Sequence, residues 1–580
     1  MTWNGILQIV FYMVLLISLA IPLGNYMAKV YEWKKTFLTG ILKPVEKGIY
    51  KLAGIHEEEE MDWKTYTFSL LIFCGIGFFV VYLLQRFQGS LPGNPQHLGG
   101  VAPDLSFNTT VSFITNTNWQ SYSGETTLTY LTQMVGLTVQ NFFSAAQGMA
   151  VLIALSRAFG RQTTKTLGNL WVDLVRGILY ILLPLSLILA IVLVSQGVVQ
   201  NLSTYPTVNL VEPARDTFGN LITQQVIATG PAASQIAIKQ LGTNGGGFFG
   251  VNSAHPFENP NSISNFLELL SILLIPAALC ITYGRLVGEP RQGRMILVVM
   301  IVLFCFLLAI SLWSETMGNP ALVSMGVDAT TGQYQPGGNM EGKEARFGVV
   351  NSSLWSIATT SASNGSVNSM HDSYNPLGGL AAMWAIQLGE VVFGGVGSGL
   401  YGMLMFVIIA VFVAGLMVGR TPEYLGKKIE PFEMKMASLV ILIPIMLILL
   451  GTALTVLLPI GYNAANNPQA HGFSEMLYAF SSAAGNNGSA FAGLATNDLY
   501  YNIALAVVMF IGRFWLIIPV MAVAGSLVGK KKVPAGLGTL TTDTPLFALW
   551  LIAVVIIVGA LSFLPSLALG LIVEHLMLFH

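Results

Sequence analysis

The sequence predicts an all-α protein that crosses a membrane about ten times, with four helix-pore-helix repeats in a pseudo-fourfold arrangement and one extra helix at each end. Three observations predict this fold. Hydrophobic residues make up 53% of the 580 residues and charged residues only 9%, which excludes a soluble globular chain. Long apolar stretches follow one another along the chain. Between them, small polar segments rich in glycine and asparagine recur at intervals of about 120 residues.

Ten apolar stretches are long enough to span a bilayer, given that a helix needs about 20 residues to cross the hydrocarbon core. The first lacks a basic leader and a small-residue cleavage site, so we expect it to be retained. The spans are predicted at residues 6–28, 65–84, 128–156, 171–197, 262–284, 294–313, 377–418, 436–460, 499–528 and 545–573.

The seventh span is too long for a single helix across the membrane. Residues 375–419 would extend about 65 Å at 1.5 Å per residue, about twice the hydrocarbon thickness. Glycines are frequent where helices kink or break. We therefore expect an interruption, and a candidate gate, in the run that contains Gly394, Gly395, Gly397 and Gly399.

Lysine and arginine are distributed unevenly between the connections, and short cytoplasmic loops are enriched in them. The connections after odd-numbered spans hold most of them, whereas the alternate connections hold only Arg86, Arg215, Lys239, Lys343 and Arg346. This distribution predicts that both termini lie outside and that the polar segments lie on the external face. The net charge of −1 gives no reason to expect a nucleic acid partner.

The four polar segments are predicted to re-enter the membrane and line an ion pore. They are residues 114–120, 243–248, 360–366 and 485–490, with anchors at Asn118, Gly245, Gly365 and Gly488. Irregular backbone in a bilayer is tolerated only where it is buried in protein or lines a watery cavity. A ring of carbonyl oxygens there can replace the water around a cation. The alternative is that these glycines only allow close helix packing or tight turns.

A second internal similarity supports the repeats. Residues 252–260 and 368–376 share the pattern N-S-x-H-x-x-x-N-P, and we expect each closing proline to begin the next helix. His255, His371 and Asp372 match no standard ligand spacing, so we expect them to order loops rather than bind a metal. The predicted units are residues 1–60 with the extra N-terminal helix, 61–160, 161–290, 291–425 and 426–532 with the four repeats, and 533–580 with the extra C-terminal helix.

Two ionisable residues, Glu390 and Arg513, lie deep within the seventh and ninth predicted spans, where charged residues are functional candidates. Each lies 25 positions after the anchor of its repeat (365 to 390, and 488 to 513), so the two occupy equivalent sites. We expect them to face each other, or a shared cavity, beneath the pore segments. The alternative is a structural ion pair that fixes helix packing.

Motifs for ATP hydrolysis are missing from the sequence. It contains neither G-x-x-x-x-G-K-[ST] nor D-K-T-G-T, and the largest predicted cytoplasmic connection, about residues 29–64, is too short for a nucleotide-binding domain. Residues 397–402 fit the dinucleotide pattern G-x-G-x-x-G, but they lie within a membrane span without a strand-turn-helix context. The chain alone is therefore not expected to hydrolyse ATP.

Six long motifs carry a resemblance to a known family. They are F-I-T-N-T-N-W-Q-S-Y-S-G-E (113–125), G-T-N-G-G-G-F-F (242–249), N-S-A-H-P-F-E-N-P (252–260), S-N-G-S-V-N-S-M-H-D-S (363–373), G-R-T-P-E-Y-L-G-K-K-I-E (419–430) and A-G-N-N-G-S-A-F-A-G-L (484–494). They closely resemble the potassium-binding A subunit of the bacterial Kdp-type potassium-transporting ATPase, over almost the whole chain.

The resemblance implies a channel-like subunit in the bacterial cell membrane that selects external K⁺ and passes it through an intramembrane tunnel to a separate catalytic P-type ATPase, the B component of the complex. Accessory subunits C and F are implied as well, and no covalent cofactor is. The residues around Gly394 to Gly402 resemble the family's intramembrane loop, and Glu390 and Arg513 resemble its charged pair. The residues that would bind K⁺ are Thr115, Asn116, Thr117, Asn118, Thr243, Asn244, Gly245, Gly246, Ser363, Asn364, Gly365, Asn486, Asn487 and Gly488, with Gln120 beside the first segment.

Two other functions stay open on the sequence alone. A self-sufficient potassium channel or symporter of the Trk, Ktr or HKT kind has the same four-repeat plan, and a membrane scaffold could use the glycines for packing. The extra terminal helices and the interrupted span favour the Kdp-type subunit over a channel. The channel signature T-V-G-Y-G is absent, and the first repeat has asparagine where the others have glycine. An asymmetric ring is therefore expected.

Overall fold

A computed structural model describes residues 2–216, 218–332, 335–534 and 540–579. Within these residues, ten helices are long and apolar enough to cross a membrane, so the chain is a multi-pass membrane protein as predicted. Each of four repeats consists of an outer helix, a short pore helix, a loop and an inner helix. The predicted fold class is confirmed, with three small two-stranded sheets added to the helices.

The outer and pore helices come first in each repeat. The outer helices are Trp63–Phe87, Leu170–Arg176 continued by the π-helical Gly177–Leu182 and by Leu183–Ser195, Pro290–Thr316, and Pro431–Leu457. The pore helices are Pro103–Ile114, Ala232–Leu241, Gly348–Ser361 and Gln469–Gly485.

The inner helices follow the loops. They are Val139–Gly160, preceded by the π-helical Thr132–Thr138, then Ser262–Leu286, then Pro376–Gln387 with Ser398–Met417, and Leu499–Gly529. The extra helices are Trp3–Tyr31 and Pro545–Leu567, the latter continued by Ala568–Ile572 and Val573–Phe579.

Short elements make the connections. The helical ones are Thr39–Ala53, Gln88–Ser90, Gly124–Thr127, Asn252–Ala254, Pro320–Ser324, His371–Ser373 and Pro459–Tyr462. The antiparallel strand pairs are Met61–Asp62 with Thr166–Gly168, Thr207–Arg215 with Leu221–Val226, and Glu423–Tyr424 with Lys427–Lys428.

The inner helices form the core, and the first of them is the least apolar of the ten spans, because its polar side chains face protein rather than lipid. In the first inner helix, 83% of the most apolar window is buried, against 22% in the first outer helix. The extra helices cover the outside of this core. The Tyr12 hydroxyl of the N-terminal helix donates to the Leu269 carbonyl at 3.2 Å, and the Trp550 indole of the C-terminal helix donates to the Ala410 carbonyl at 3.0 Å.

Capping residues decide where the helices begin, and one of the two helix starts predicted from a proline is wrong. Pro376 stands in the first turn of its helix, as expected. The corresponding prediction for Pro260 is wrong, because Asn261 follows it as the N-cap. The Asn261 side chain accepts hydrogen bonds from the backbone N–H groups of Ile263 and Ser264, so the helix begins only after the cap.

The interruption of the seventh span is present but begins earlier than predicted. The helix stops after Gln387 and resumes at Ser398, and we call residues 388–397 the break loop. Gly394, Gly395 and Gly397 lie in it, whereas Gly399 lies in the resumed helix. Glu390 belongs to the break loop rather than to a helix, and its φ of 51° is left-handed.

Both chain ends lie on the same side as the four loops. The Asn351 amide of the third pore helix donates to Gln8 at 3.4 Å, and Glu574 contacts His471 of the fourth pore helix at 2.7 Å. Two of the lysines that seemed exceptional in the charge distribution, Lys239 and Lys343, are buried in ion pairs. They therefore present no charge to solvent.

Candidate ion-binding ring

The four loops share one backbone path. The anchors Asn118, Gly245, Gly365 and Gly488 have φ values of 54°, 83°, 85° and 97°. The residues two positions earlier are also left-handed, with φ values of 67° at Asn116, 48° at Thr243, 54° at Ser363 and 57° at Asn486. Non-glycine residues rarely adopt this conformation, so its occurrence in every loop shows that the repeats are structurally equivalent.

The loops close into a ring in chain order. A side-chain carbon added at Gly245 would overlap the carbonyl oxygen of Asn364 in the third loop. One added at Gly365 would overlap the Asn487 carbonyl oxygen in the fourth loop, and one at Gly488 would overlap the Thr117 carbonyl oxygen in the first. Glycine is required at these anchors because φ is positive and the neighbouring backbone leaves no room.

The first anchor is asparagine, and the structure shows how the ring accommodates it. Its neighbour in the second loop is Gly246, where an added carbon would lie 2.6 Å from the Asn118 Cβ. The corresponding positions in the third and fourth loops are Ser366 and Ser489. The missing side chain at Gly246 therefore makes room for Asn118, whose amide donates to Asn141 at 2.8 Å.

Side-chain hydrogen bonds join the first loop to the second, the third to the fourth, and the fourth to the first. The Asn116 amide donates to the Thr243 carbonyl at 2.8 Å, the Ser363 hydroxyl to the Asn486 carbonyl at 3.0 Å, and the Asn486 amide to the Thr117 hydroxyl at 3.0 Å. All of these side chains are buried. Since buried hydrogen-bond networks are stiff when satisfied, the ring has a defined size.

A second set of bonds attaches the loops to the neighbouring pore helices. The Asn364 amide donates to the Lys239 carbonyl at the end of the second pore helix, at 3.1 Å. The equivalent Asn487 amide donates to the Thr359 carbonyl of the third pore helix, at 3.0 Å. The amide of Asn244 donates instead to Asn116 at 2.5 Å and to Ser144 at 3.1 Å.

The ring favours a cation without using a charged side chain. The predicted ring residues are all neutral, and the four pore helices end directly before them, at Ile114, Leu241, Ser361 and Gly485. A helix carries about half a negative charge at its C-terminus, so four such ends converge on the ring. Neutral carbonyl oxygens in this field suit a cation that has lost its water.

A vestibule of about 660 Å³ lies against one face of the ring, lined in part by Asn118, Gly365 and Gly488. Gln120 is at its edge and bridges two loops. Its amide donates to the Gly247 carbonyl at 3.1 Å, and its own carbonyl accepts from the Gly247 N–H at 3.0 Å. This reciprocal pair gives Gln120 a positioning role above the ring.

The break loop lies against the other face of the ring. Its Val396 N–H donates to the Thr243 hydroxyl at 2.9 Å, and its Gly394 N–H donates to the Ser361 carbonyl at 2.7 Å. A carbon added at Gly397 would overlap the Gly148 carbonyl of the first inner helix. Three repeats therefore hold this loop directly beneath the ring.

Glu390 and Arg513 line one cavity on that face of the ring, so of the two predicted arrangements the structure has the shared cavity. No ion pair joins them in the described part of the chain. The Arg513 guanidinium instead donates to the Ser144 carbonyl at 3.3 Å. The cavity measures about 60 Å³, enough for a few water molecules, since one needs about 10 to 15 Å³.

Buried ion pairs behind the ring were missed by sequence reasoning. Lys239 pairs with Glu258, and Lys343 pairs with Glu315 at 2.7 Å, and all four side chains are inaccessible to solvent. The only signal was the occurrence of lysines in connections otherwise poor in them. Each pair braces a loop region from outside the ring, where charge can be retained if it is compensated.

His255 and His371 lie in loop-ordering positions. The His255 ring stacks on Phe249 with centroids 3.9 Å apart. Burial lowers the pKa of His371 to about 3, and this neutral ring contacts the Tyr478 hydroxyl at 3.1 Å. Asp372 instead joins a cluster with His471 and Glu475, in which potential ligand atoms lie within 4.8 Å of one another. His471, which sequence reasoning missed, also contacts Glu574 at 2.7 Å.

Comparison with known proteins places this architecture in a family. The family profile described as potassium-transporting ATPase A subunit matches residues 10–576. The chain belongs to the potassium-transporting ATPase A subunit family. The relatives of this A-subunit chain include proteins named potassium-transporting ATPase potassium-binding subunit. Those of Sorangium cellulosum and Herpetosiphon aurantiacus are each 61% identical, and that of Clostridium perfringens is 58% identical, with 99% of each chain covered in all three cases.

A solved structure is also similar to this A-subunit chain. It is the crystal structure of the potassium transporter TrkH from Vibrio parahaemolyticus, with 13% identity and a TM-score of 0.49, covering 89% of this chain and 97% of that one.

Proposed function

We propose that this chain is the potassium-binding, channel-like subunit of an ATP-driven, high-affinity potassium importer. The observation that carries this proposal is the closed ring of four equivalent loops, with neutral oxygens at the ends of four pore helices. Such a ring can replace the hydration shell of a monovalent cation. The names of the relatives support K⁺ as the transported ion and favour this function over a self-sufficient channel or symporter of the Trk, Ktr or HKT kind.

In this proposal K⁺ binds at the four loops, between the vestibule and the break loop. The ligands come from the residues between Thr115 and Asn118, Thr243 and Gly246, Ser363 and Gly365, and Asn486 and Gly488. Ring size and stiffness favour K⁺ over smaller ions, because the hydrogen bonds between loops resist further contraction.

The ion then meets the break loop and the cavity lined by Glu390 and Arg513. The glycines of the break loop give this backbone freedom to move, and Arg513, with the Glu390 carboxyl group in the same cavity, sets the field that the ion experiences. We assign the break loop and the two charged residues to gating or to coupling with the partner. The path onward runs sideways through an intramembrane tunnel to the partner.

ATP hydrolysis is assigned to a separate catalytic P-type ATPase, the B component, and this chain is the non-catalytic subunit. Accessory subunits C and F complete the proposed complex. The chain lies in the bacterial cell membrane with both termini and the vestibule outside, as the distribution of lysine and arginine indicates.

A change at Gly245 tests the function most simply. Gly245→Asp adds a side chain where a carbon overlaps the Asn364 carbonyl, and it adds a charge to a neutral ring. The half-saturation concentration for K⁺ in K⁺-stimulated ATP hydrolysis by the purified complex should rise at least about a hundredfold, with weaker discrimination against Na⁺. Gly48→Asp is the matched control, since Gly48 is helical and an added carbon meets nothing within 4 Å. An unchanged K⁺ affinity in Gly245→Asp contradicts the proposal.

A further inference from the structure

A short hairpin lies at the end of the inner helices opposite to the ring. It follows the third inner helix, and its strands Glu423–Tyr424 and Lys427–Lys428 are joined by a turn at Leu425 and Gly426. Both turn residues have positive φ, 52° and 73°, as a type I′ turn requires. We call residues 422–429 the hairpin plug.

The hairpin plug buries two polar side chains among the ends of the inner helices. Tyr424 and Lys427 are both inaccessible to solvent. Lysine is almost never fully buried unless it is paired, so its surroundings need an explanation. Lys428, the next residue, has a side chain that is 57% exposed.

Lys427 satisfies its ammonium group with three backbone carbonyls. It donates to Ala158 at 2.7 Å and to Arg161 at 2.6 Å, at the end of the first inner helix. It also donates to Leu527 at 2.5 Å, in the last turn of the fourth inner helix. A cation at two helix C-termini is favourable because it compensates both helix dipoles and the unpaired carbonyls.

Tyr424 contacts the ends of the first and second inner helices. Its hydroxyl and that of Tyr283, near the end of the second inner helix, are 3.0 Å apart. Its ring packs edge-on against Phe159 of the first inner helix, with centroids 5.3 Å apart. The hairpin plug thus contacts the first, second and fourth inner helices and continues from the third. An element that buries Tyr424 and Lys427 in contact with all four lies where their ends converge.

We propose that the hairpin plug seals the end of the pore opposite to the vestibule, and that Lys427 is the positioning residue that holds the first and fourth inner helices against this seal. This inference rests on the proposed function, because a seal there leaves an ion that has passed the ring no straight path across the membrane. A channel of the same four-repeat plan would need this end open. The seal therefore prevents a downhill leak of K⁺ past the pump.

The test measures leak without ATP. The complete complex is placed in liposomes with a K⁺ gradient, and uptake of ⁸⁶Rb⁺ is followed for the parent, Lys427→Met, Lys427→Arg and Lys428→Met. Lys427→Met should raise the leak at least about tenfold, since each lost bond from a charged donor contributes about that factor. Lys427→Arg keeps donors for the carbonyls and should leak less than Lys427→Met. Lys428→Met is the matched control and should leak like the parent.

The outcomes separate this inference from the proposed function. A K⁺-selective leak in Lys427→Met that Gly245→Asp abolishes supports both. A tight membrane in Lys427→Met, with normal ATP-driven uptake, overturns the seal and leaves the proposed function standing. A leak that does not discriminate K⁺ from Na⁺, and that Gly245→Asp leaves unchanged, supports an opening at the plug and counts against the ring.

A second variant and a measurement on the parent keep the proposal testable if Lys427→Met misfolds. If Lys427→Met yields too little complex, Tyr424→Ala takes its place. This variant removes the aromatic side chain from the hairpin plug and leaves the three hydrogen bonds of Lys427, so a leak above that of the parent supports the seal and a tight membrane overturns it. Hydroxyl-radical footprinting of the parent complex should leave Tyr424 unlabelled while labelling Tyr462, which is 51% exposed. Labelling of Tyr424 to the extent of Tyr462 would overturn the seal without any variant.

Discussion

The third and fourth inner helices begin from equivalent loops and then diverge. The fourth is continuous over Leu499–Gly529, and it carries Arg513 on a helical turn. The third stops after Gln387, and Glu390, the equivalent position, has left-handed backbone. The two segments differ in composition: residues 388–397 contain four glycines, whereas the equivalent residues 511–520 contain one glycine and Pro519, which the helix accommodates. Three of the four glycines, at positions 389, 394 and 397, have positive φ, a non-helical backbone that glycine adopts without steric cost.

Because of this difference, the equivalent positions 390 and 513 are held by different kinds of structure. Arg513 is held by a continuous helix, while Glu390 is held by a loop that contacts the first, second and third repeats. The position of Glu390 therefore depends on contacts between repeats, whereas that of Arg513 follows from its own helix. The similarity of the four repeats therefore produces the ring of loops, and the difference between the third and fourth inner helices produces the break loop beneath it.

The largest effect is expected from a change that the break loop cannot accommodate. Gly397→Ala adds a carbon that overlaps the Gly148 carbonyl, at a φ of 89°. K⁺ uptake should fall roughly a hundredfold, because displacing a functional group by about 1 Å costs that much. Growth on low K⁺ and uptake of ⁸⁶Rb⁺ measure it, with membrane abundance checked. Gly75→Ala, in the first outer helix with nothing within 4 Å, is the control. Normal uptake by Gly397→Ala would show that the break loop is not needed in this position.

A smaller effect is expected when the charge at the equivalent positions is changed. Among the residues that the structure describes, Glu390→Gln removes the only carboxyl group that faces Arg513 across the shared cavity, and it should lower ATP-driven uptake about tenfold, since Arg513 then repels the ion with no acid beside it. The exchange Glu390→Arg with Arg513→Glu should not restore transport, because a loop and a helix place the two groups differently. Recovery of transport in the exchanged protein would mean that the two positions are interchangeable after all.

Substitutions on the vestibule side of the ring, where the loops are alike, are expected to have smaller effects on transport. Gln120→Arg removes the acceptor for the Gly247 N–H and adds a positive charge beside the ring. The half-saturation concentration for K⁺ should rise about fivefold to tenfold by like-charge repulsion, with little change in maximal rate. Gln162→Arg, exposed on the opposite side of the molecule, should leave this value unchanged. A fall in maximal rate at unchanged affinity would place Gln120 in a different role.

The smallest effect concerns the link between the third and fourth repeats. Burial alone would lower the pKa of His471, but hydrogen bonds to Asp372 and Glu574 outweigh it and raise the pKa to about 10. A raised pKa stabilises the folded chain fully below the ordinary value of 6.5, and this contribution is lost as the pH rises toward 10. The melting temperature in detergent should therefore fall over this range in the parent, and fall less in His471→Gln. If the melting temperature fell equally with pH in the parent and in His471→Gln, His471 would not contribute to this pH dependence.

Most of the fold was predictable because apolar length and repeat spacing are written directly in the sequence. The four anchors were found for the same reason, since glycine and asparagine are the residues that adopt left-handed backbone most readily. The break loop was predicted too late in the chain, because glycine frequency marks a weak helix without fixing where it ends. Helix caps such as Asn261 decide such boundaries locally.

The contacts between repeats were not predictable. Asn118 packs against Gly246, which is 128 positions further along the chain, and the local sequence does not indicate this contact. The same holds for Lys427, which reads as one more basic residue in a connection until its three carbonyl partners are known. Such pairings depend on how the repeats are arranged in space.

The most direct test of the ion-binding ring is a density map of the complete complex determined with K⁺ and again with Na⁺. We predict K⁺-dependent density on the pseudo-fourfold axis, surrounded by oxygens from all four loops and lost or weakened in Na⁺. Density confined to one side of the ring, or none within reach of the loops that contain Asn118, Gly245, Gly365 and Gly488, would contradict it.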